Sequence, residues 1–429
     1  MSSQYRIGII GLGYVGLPLA KAFCEKETSV IGFDIDKSKV NSLNKGKSYF
    51  RLICRKTLKL FIKKKLFKAT SSFTSIKSCD AVIICVPTPL DNHHQPDLSY
   101  VINSIHSIKK HLKQGTLVSL ESTTYPGTTK DIVKPILEET NFKVGKDIHL
   151  CYSPEREDPG NKLFNLQNTP KVISGFSKKC LLKAKSIYSI VCEQLVPLPS
   201  LEAAELCKLI ENIQRSVNIG LMNELRFFTE KADINLFEVI DAAATKPFGF
   251  TPYYPGPGVG GHCIPIDPFY LTYKAKEYGL HTKFIELAGE VNESMPAYIT
   301  QRIGSQLNLI GKNFSNAKIL CIGLAYKKNV SDCRESPSVE IYNQLLKNGS
   351  HVDYHDTFVP IFPRMRKYKI RSSSIQLTKR NIKKYDLVIL NVLHDDIDVD
   401  LILNESKQII DTSGSLRRYK KYNKKIITV

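Results

Sequence analysis

Residues 5–34 read YRIGIIGLGYVGLPLAKAFCEKETSVIGFD, and this stretch decides the fold. Residues 5–10 form a short apolar run suited to a buried strand. Gly11-Leu12-Gly13-Tyr14-Val15-Gly16 follows at once, then a helical stretch over 17–26. A second apolar run over 29–33 ends on Asp34. An isolated Gly-x-Gly-x-x-Gly is weak evidence. Set between a strand and a helix, with an acid 21 residues beyond Gly13, it predicts a dinucleotide-binding unit. Gly11 permits the tight turn, Gly13 the close approach of a pyrophosphate, and Gly16 the packing of helix on strand. The helix N-terminus then faces the phosphates. Tyr14 and Val15 belong to the same cofactor loop. Asp34 would accept hydrogen bonds from an adenosine ribose and repel a 2′-phosphate, so the expected cofactor is NAD.

Working outward, 81–86 (AVIICV) is a continuous apolar strand of the kind found in parallel sheets covered on both faces. Pro87-Thr88-Pro89 stops it, which puts Thr88 in a loop at the strand's carboxyl end. A helix is expected over 100–112. A strand over 116–120 ends in Glu121-Ser122-Thr123-Thr124, and one over 149–152 ends in Ser153-Pro154-Glu155-Arg156. These polar clusters fall on the same sheet edge as the glycine loop, where doubly wound folds bind ligands. The basic run 55–68 interleaves leucine and phenylalanine as an amphipathic helix would. From residue 200 the pattern changes: 201–232 has helical periodicity without proline, far beyond an ordinary helix of about a dozen residues. A spine of this length suits a domain junction or a dimer interface. Helix follows around 282–293, and a second α/β pattern places strands over 317–323, 351–356, 386–392 and 408–411, with a helix over 338–347. The expected class is α/β, with two Rossmann-like doubly wound domains joined by a long central helix. Its domains would be 1–197, 198–300 and 301–429.

The 429 residues suffice for two or three domains. A hydrophobic share of 42% and a charged share of 24% are ordinary for a soluble protein. The net charge of +20 raises nucleic acid as a partner, but the lysines are spread along the chain, and an anionic small substrate draws on the same field. No apolar run reaches the roughly 18 residues of a membrane span, and the start lacks a signal-peptide pattern, so a cytoplasmic protein is expected. The eleven cysteines are odd in number and form no CxxC pair, which speaks against a disulfide framework or a zinc site. The histidines show no metal-ligand spacing, and His93-His94 reads as solvated, so no metal is assigned.

One cysteine stands apart. Residues 256–268 (GPGVGGHCIPIDP) set Cys263 among glycines, with Asp267 four residues on. An NAD site coupled to a cysteine suggests oxidation through a thioester: a thiolate adds to an aldehyde, hydride leaves, and water releases the acid. The oxyanion needs donors, and Lys208 and Asn212, four apart on one helix face, are suitable. Asp267 or Glu155 would serve as the base. Lys327 and Arg334 follow the first strand of the second α/β pattern, as phosphate contacts or as solvated charges. His262 is left outside the set, because adjacent residues tend to point apart. The competing class is a basic nucleotide-binding protein without catalysis.

GLGYVGLPLA at 11–20, VPTP at 86–89, EST at 121–123, SPE at 153–155 and GGHCIPIDP at 260–268 together resemble the UDP-glucose/GDP-mannose dehydrogenase family, nearly end to end and in order. The resemblance implies a four-electron, NAD-dependent oxidation of a nucleotide-sugar C6 alcohol to a carboxylate by a homodimer with a helical middle. It implies Cys263 as thioester nucleophile, Lys208 and Asn212 as oxyanion and substrate-orienting pair, and Asp267 as the acid that activates water and thiol. Glu155 and Thr123 would position a water for proton removal, with Thr88 and Thr123 also at the cofactor. Arg156 and Gly260 would line the sugar nucleotide, Tyr326 and Lys327 would contact the uridine nucleotide, and Arg334 would reach NAD from the C-terminal domain. SPEREDPGN at 153–161 is similar to the branch that oxidises UDP-N-acetylglucosamine; UDP-N-acetylgalactosamine, UDP-N-acetylmannosamine and UDP-glucose are the alternatives. Ser413 departs from the pattern, since many relatives carry arginine there, and Arg417 or Arg418 is the candidate substitute.

Overall fold

A computed structural model describes every residue except 1–4, 50–52, 92, 157–162, 366 and 423. The part of the 153–161 motif from 157 on therefore lies outside the described residues. β1 (Arg6–Ile10) runs into the glycine turn, and the helix Gly16–Glu25 packs back with Leu17, Leu19, Ala20, Phe23 and Cys24 buried. β1 sits inside an eight-stranded sheet with β2 (Ser29–Phe33), β3 (Phe67–Thr70), β4 (Ala81–Ile84), β5 (Leu117–Leu120), β6 (His149–Tyr152), β7 (Lys171–Gly175) and β8 (Leu195–Pro197). The order is β3-β2-β1-β4-β5-β6-β7-β8. The winding reverses between β1 and β4, and parallel pairing from β3 through β6 brings those carboxyl ends to one edge. β7 pairs antiparallel with β6.

Two elements differ from their sequence reading for visible reasons. The helix expected over 55–68 ends at Lys63, because Lys65 turns left-handed (φ 58°). Phe67–Thr70 then alternates buried and exposed side chains as β3. The helix expected over 282–293 runs over Lys283–Leu309 straight through Pro296. Proline cannot donate to the Asn292 carbonyl, but Gly258 backs onto that oxygen so closely that a Cβ would lie 3.0 Å from it.

The chain divides into two units, Met1–Glu211 with Phe269–Leu280, and Asn212–Pro268 with His281–Val429. The helix Leu201–Lys231 passes through the division unbroken.

The second unit carries a parallel five-stranded sheet of β9 (Lys318–Ile322), β10 (His351–His355), β11 (Leu387–Leu390), β12 (Ile409–Asp411) and β13 (Ile426–Thr428), in the order β10-β9-β11-β12-β13. It repeats the first unit's opening turn. Gly11 (φ 88°) gives its N–H to Phe33 at 2.8 Å, and Gly323 (φ 81°) gives its N–H to His355 at 2.9 Å. In each unit the acid after the second strand, Asp34 or Asp356, accepts from the amides that follow the glycine.

Candidate active site

At the glycine loop, sterics explain each residue. A Cβ on Gly11 would lie 2.6 Å from the Cys85 carbonyl oxygen, and one on Gly16 would lie 2.0 Å from that of Gly11. A Cβ on Gly13 meets no protein atom within 4 Å, so the space above it is open to a ligand. Val15 is the helix N-cap, Tyr14 is half-buried, and no side chain caps the helix; Leu17 gives its N–H to the Gly13 carbonyl at 3.2 Å and Pro18 has none, so the Gly16 amide is what the first three helical residues offer an anion. Asp34 is 9% exposed. Its Oδ2 accepts from Leu12 N–H at 3.1 Å and its Oδ1 from Asp36 N–H at 2.9 Å. Each oxygen keeps a further lone pair for a ribose hydroxyl. Tyr49 donates to the Leu12 carbonyl and closes the loop from the other side. Ile35, 78% exposed beside Asp34, offers an apolar face to a base, and sequence reasoning had passed it over. These residues fit NAD.

Further along the edge, the Thr88 carbonyl accepts from the buried Tyr270 hydroxyl at 3.0 Å. Thr123 lies half-buried just beyond β5. Glu121 of the same cluster belongs to a buried network: Lys171 Nζ sits 3.2 Å from one carboxylate oxygen, and Tyr188 donates to the other at 2.6 Å. Burial pulls the Lys171 ammonium down, but Glu121, Cys192 and Glu155 together outweigh it, and the proton is held more firmly than usual. Neither Lys171 nor Tyr188 carried a sequence signal, because a lone lysine in a strand and a lone helical tyrosine look ordinary.

After β6, two adjacent residues meet the helix Leu201–Lys231 through crossed charges. Glu155 faces Lys208 at 4.0 Å, and Arg156 pairs with Glu211 at 2.7 Å while donating to the Pro170 carbonyl at 2.6 Å. The Arg156–Glu211 pair, about a third exposed, contributes about 0–1 kcal/mol, and the Glu155–Lys208 pair is largely buried, so the consequence of the crossed charges is orientation of Glu155 and Lys208. One turn earlier, the Glu205 carboxylate accepts from Gly127 N–H at 2.6 Å, Thr129 N–H at 2.8 Å and the Thr129 hydroxyl at 2.6 Å. Burial lifts Glu205 to about 7 against the pull of those donors.

In the second unit, the Cys263 carbonyl accepts from Ile266 N–H at 3.1 Å and Asp267 N–H at 2.8 Å, a turn that opens the helix Asp267–Glu277. The Cys263 side chain is half-buried. Asp267 is 2% exposed and accepts from the Asn212 amide at 2.6 Å. Cys263, Asp267 and Asn212 are therefore brought together. Burial pushes the His262 imidazole down to about 4, with Arg334 reinforcing and Asp332 opposing, so His262 is neutral near pH 7 and supplies no charge to the thiol.

Sterics also account for two glycines of this loop. A Cβ on Gly261 would lie 2.8 Å from the Tyr326 ring, and one on Gly260 would lie 2.8 Å from Tyr326 Cβ and 2.9 Å from the Glu335 carbonyl. They make room for protein. Only Gly256 faces open space. Tyr326 and Lys327 are half-buried. Arg334 is exposed and forks onto Asp332, with Nη2 at 2.7 Å from Oδ2. Ser413 bonds to the buried Asp411 (3.2 Å through its amide). Arg417, the candidate substitute, is engaged elsewhere: its guanidinium lies 4.9 Å from the Tyr254 ring and 3.4 Å from Asp241.

The helix Leu201–Lys231 also carries a polar seam that sequence reasoning found only in part. Glu205, Lys208, Asn212, Ser216, Asn223 and Arg226 are all 8% exposed or less and recur at helical spacing. The signal available was that recurrence, since polar side chains on one stripe of a long helix must be satisfied by partners when buried.

A dinucleotide-binding edge in one Rossmann unit and a cysteine–carboxylate loop in a chain with a second such unit define an NAD-dependent oxidoreductase. Family models of the UDP-glucose/GDP-mannose dehydrogenase family match as NAD binding domain over 5–192, central domain over 202–294 and UDP binding domain over 320–418. Protein CapL of Staphylococcus aureus is 38% identical over 352 residues, 82% of this chain and 81% of that protein. The UDP-N-acetyl-D-glucosamine 6-dehydrogenase of Pseudomonas aeruginosa is 35% identical over 393 residues, 91% of each. The solved structure of the UDP-D-ManNAc dehydrogenase from Pyrococcus horikoshii superposes with a TM-score of 0.85 at 30% identity, covering 95% of each chain. This chain belongs to the UDP-glucose/GDP-mannose dehydrogenase family.

Proposed function

We propose that this protein oxidises the C6 alcohol of a UDP-N-acetylhexosamine, foremost UDP-N-acetylglucosamine, to the uronic acid through a thioester on Cys263, supplying precursors for polysaccharide or glycan synthesis. The observation that carries the reading is the Cys263 turn opening onto a buried Asp267 that Asn212 holds at 2.6 Å. When bound, NAD supplies the hydride acceptor for both oxidations. Glu155 and Thr123 hold the water that takes the C6 hydroxyl proton in the first. In the second, the Cys263 thiolate adds to the C6 aldehyde, Lys208 and Asn212 donate to the oxyanion, and departure of hydride leaves the thioester. Asp267 takes a proton from the water that attacks the thioester, the C–S bond breaks, and Cys263 leaves as thiolate. Tyr326 and Lys327 hold the uridine nucleotide, Arg156 and Gly260 line the substrate, and Arg334 contacts the cofactor once its fork on Asp332 is shared.

The choice of sugar rests on the residues around Glu155 and Arg156 and on likeness to the Pseudomonas aeruginosa enzyme. The likeness to the Pyrococcus horikoshii structure favours UDP-N-acetylmannosamine as the second reading. A steady-state panel of UDP-sugars with NAD and NADP decides. The highest kcat/KM is expected with UDP-N-acetylglucosamine and NAD; a higher value with UDP-N-acetylmannosamine would transfer the assignment.

The active form is a homodimer. Leu221, Leu225 and Phe228 form an exposed apolar stripe on one helix, 48%, 39% and 64% accessible. Leu287, 54% exposed, continues it on the helix Lys283–Leu309, which packs close to the first where Gly220 meets Ala288. Among the described residues no helix is long and apolar enough to cross a membrane. All eleven cysteines are free thiols, which suits the reducing cytoplasm.

A further inference from the structure

Three segments of the second unit are knitted around Tyr326. Gly261 donates its N–H to the Arg334 carbonyl at 3.1 Å, and Tyr326 donates its N–H to the Asp332 carbonyl at 2.9 Å. The Tyr326 ring lies so close over Gly261 that any Cβ there would sit 2.8, 3.0 and 3.1 Å from Cε2, Cζ and Cδ2, and from nothing else nearer. Real Cβ contacts do not reach 2.8 Å, so the two backbones are fitted to each other by this one ring.

The segment that carries Tyr326 is fixed at both ends. Asp356, 0% exposed, accepts from Leu324 N–H at 2.8 Å and Ala325 N–H at 3.0 Å. At the far end, Asn329 donates its N–H to His394 Nδ1 at 2.9 Å, and His394 Nε2 lies 3.2 Å from Asp356 Oδ1. His394 is itself 1% exposed. A push on Tyr326 is therefore not absorbed by its own loop. On the other side, Gly261 stands two residues before Cys263, whose carbonyl holds the Ile266 and Asp267 amides. Displacement of Gly261 passes to the thiol and to the first turn of the helix that carries the buried carboxylate. Energetic coupling needs a contiguous packed element of this kind.

We infer that Tyr326 is a positioning residue through which a uridine nucleotide bound at Tyr326-Lys327 sets the cysteine loop, so that filling the nucleotide site changes the reactivity of Cys263. The inference rests on the proposed reading of Tyr326-Lys327 as the nucleotide contact.

The test uses the full chain, UDP alone as the nucleotide probe, and the rate of iodoacetamide alkylation at the Cys263 peptide read by mass spectrometry. Exposed Cys54 is the internal control. Saturating UDP is expected to shift the Cys263 rate at least about threefold with Cys54 unmoved, a coupling of ordinary size for packed neighbours. Tyr326→Phe, which keeps the ring, should retain that shift, and Tyr326→Ala, assayed at the higher UDP concentrations that calorimetry shows to fill its weakened site, should lose it. Gly261→Ala should change the nucleotide-free rate strongly in the wild-type background and weakly with Tyr326→Ala, because removing the ring removes the clash. The inference is overturned if bound UDP leaves the wild-type Cys263 rate unchanged. It is also overturned if Tyr326→Ala keeps the shift, or if Gly261→Ala acts equally in both backgrounds. Failure of UDP to bind the wild-type chain sinks the nucleotide reading itself, and the Gly261–Tyr326 cycle still reports on the packing.

Discussion

Asn212 and Glu205 show how a residue's meaning depends on its partners. Spacing alone offered Asn212 as an oxyanion donor beside Lys208, but its amide is committed to Asp267 at 2.6 Å, so orienting that carboxylate is part of its work. Glu205 carries no signal of its own in the sequence and is fully buried with three donors on two oxygens. Its folded-state value is raised by burial from 4.5 to about 7, so the native state binds the proton more tightly than the unfolded chain does. Stability from this group is therefore fully present below the unfolded value and is lost as pH climbs through the window from 4.5 to about 7. Glu205→Gln cannot titrate, and it turns an N–H toward one of the donors. Chemical denaturation across pH should show wild type losing stability relative to this variant through that window, with parallel curves above it. Parallel curves throughout would mean that Glu205 keeps an ordinary carboxylate affinity.

At the scale of elements, the glycine turn was legible because three glycines and an acid at fixed spacing have few other physical uses. The strands β1, β2, β4, β5 and β6 were legible because unbroken apolar runs of that length fit a sheet covered on both faces. β3, β7 and β8 were not. β3 is short, and Lys68 lies between its buried residues. β7 begins with a lysine whose burial depends on Glu121, fifty positions away. The packing of the cysteine loop was not legible, since the side chain that meets Gly260 with its Cβ and Gly261 with its ring arrives from residue 326. The turn itself separates two uses of glycine. Gly13→Ala meets no protein atom, so it should leave the melting temperature within about a degree or two while raising the KM for NAD roughly tenfold or more. Gly16→Ala would drive a methyl to within 2.0 Å of the Gly11 carbonyl and should lower the melting temperature by several degrees, about 1–3 kcal/mol of overpacking. Equal thermal effects of the two would refute the division of labour.

For the whole molecule, two Rossmann units opening on the same strand–glycine–acid device are adapted differently. Asp34 keeps 9% exposure at the cofactor edge, whereas Asp356 is sealed beneath His394 and serves its own loop. The apolar stripe through Leu221, Leu225 and Phe228 is left uncovered in a single chain. Sedimentation at micromolar concentration should return a dimer, and Leu225→Arg with Phe228→Arg should return a folded monomer. A wild-type monomer would contradict the interface. The central claim is that one thiol carries C6 between two oxidations, and it is tested most directly by end-point stoichiometry. With excess NAD and limiting UDP-N-acetylglucosamine, the wild-type chain should release two NADH per sugar and yield the uronic acid by mass. Cys263→Ser should yield no acid. Acid formed by Cys263→Ser at the wild-type rate, with two NADH per sugar, would contradict the thioester account.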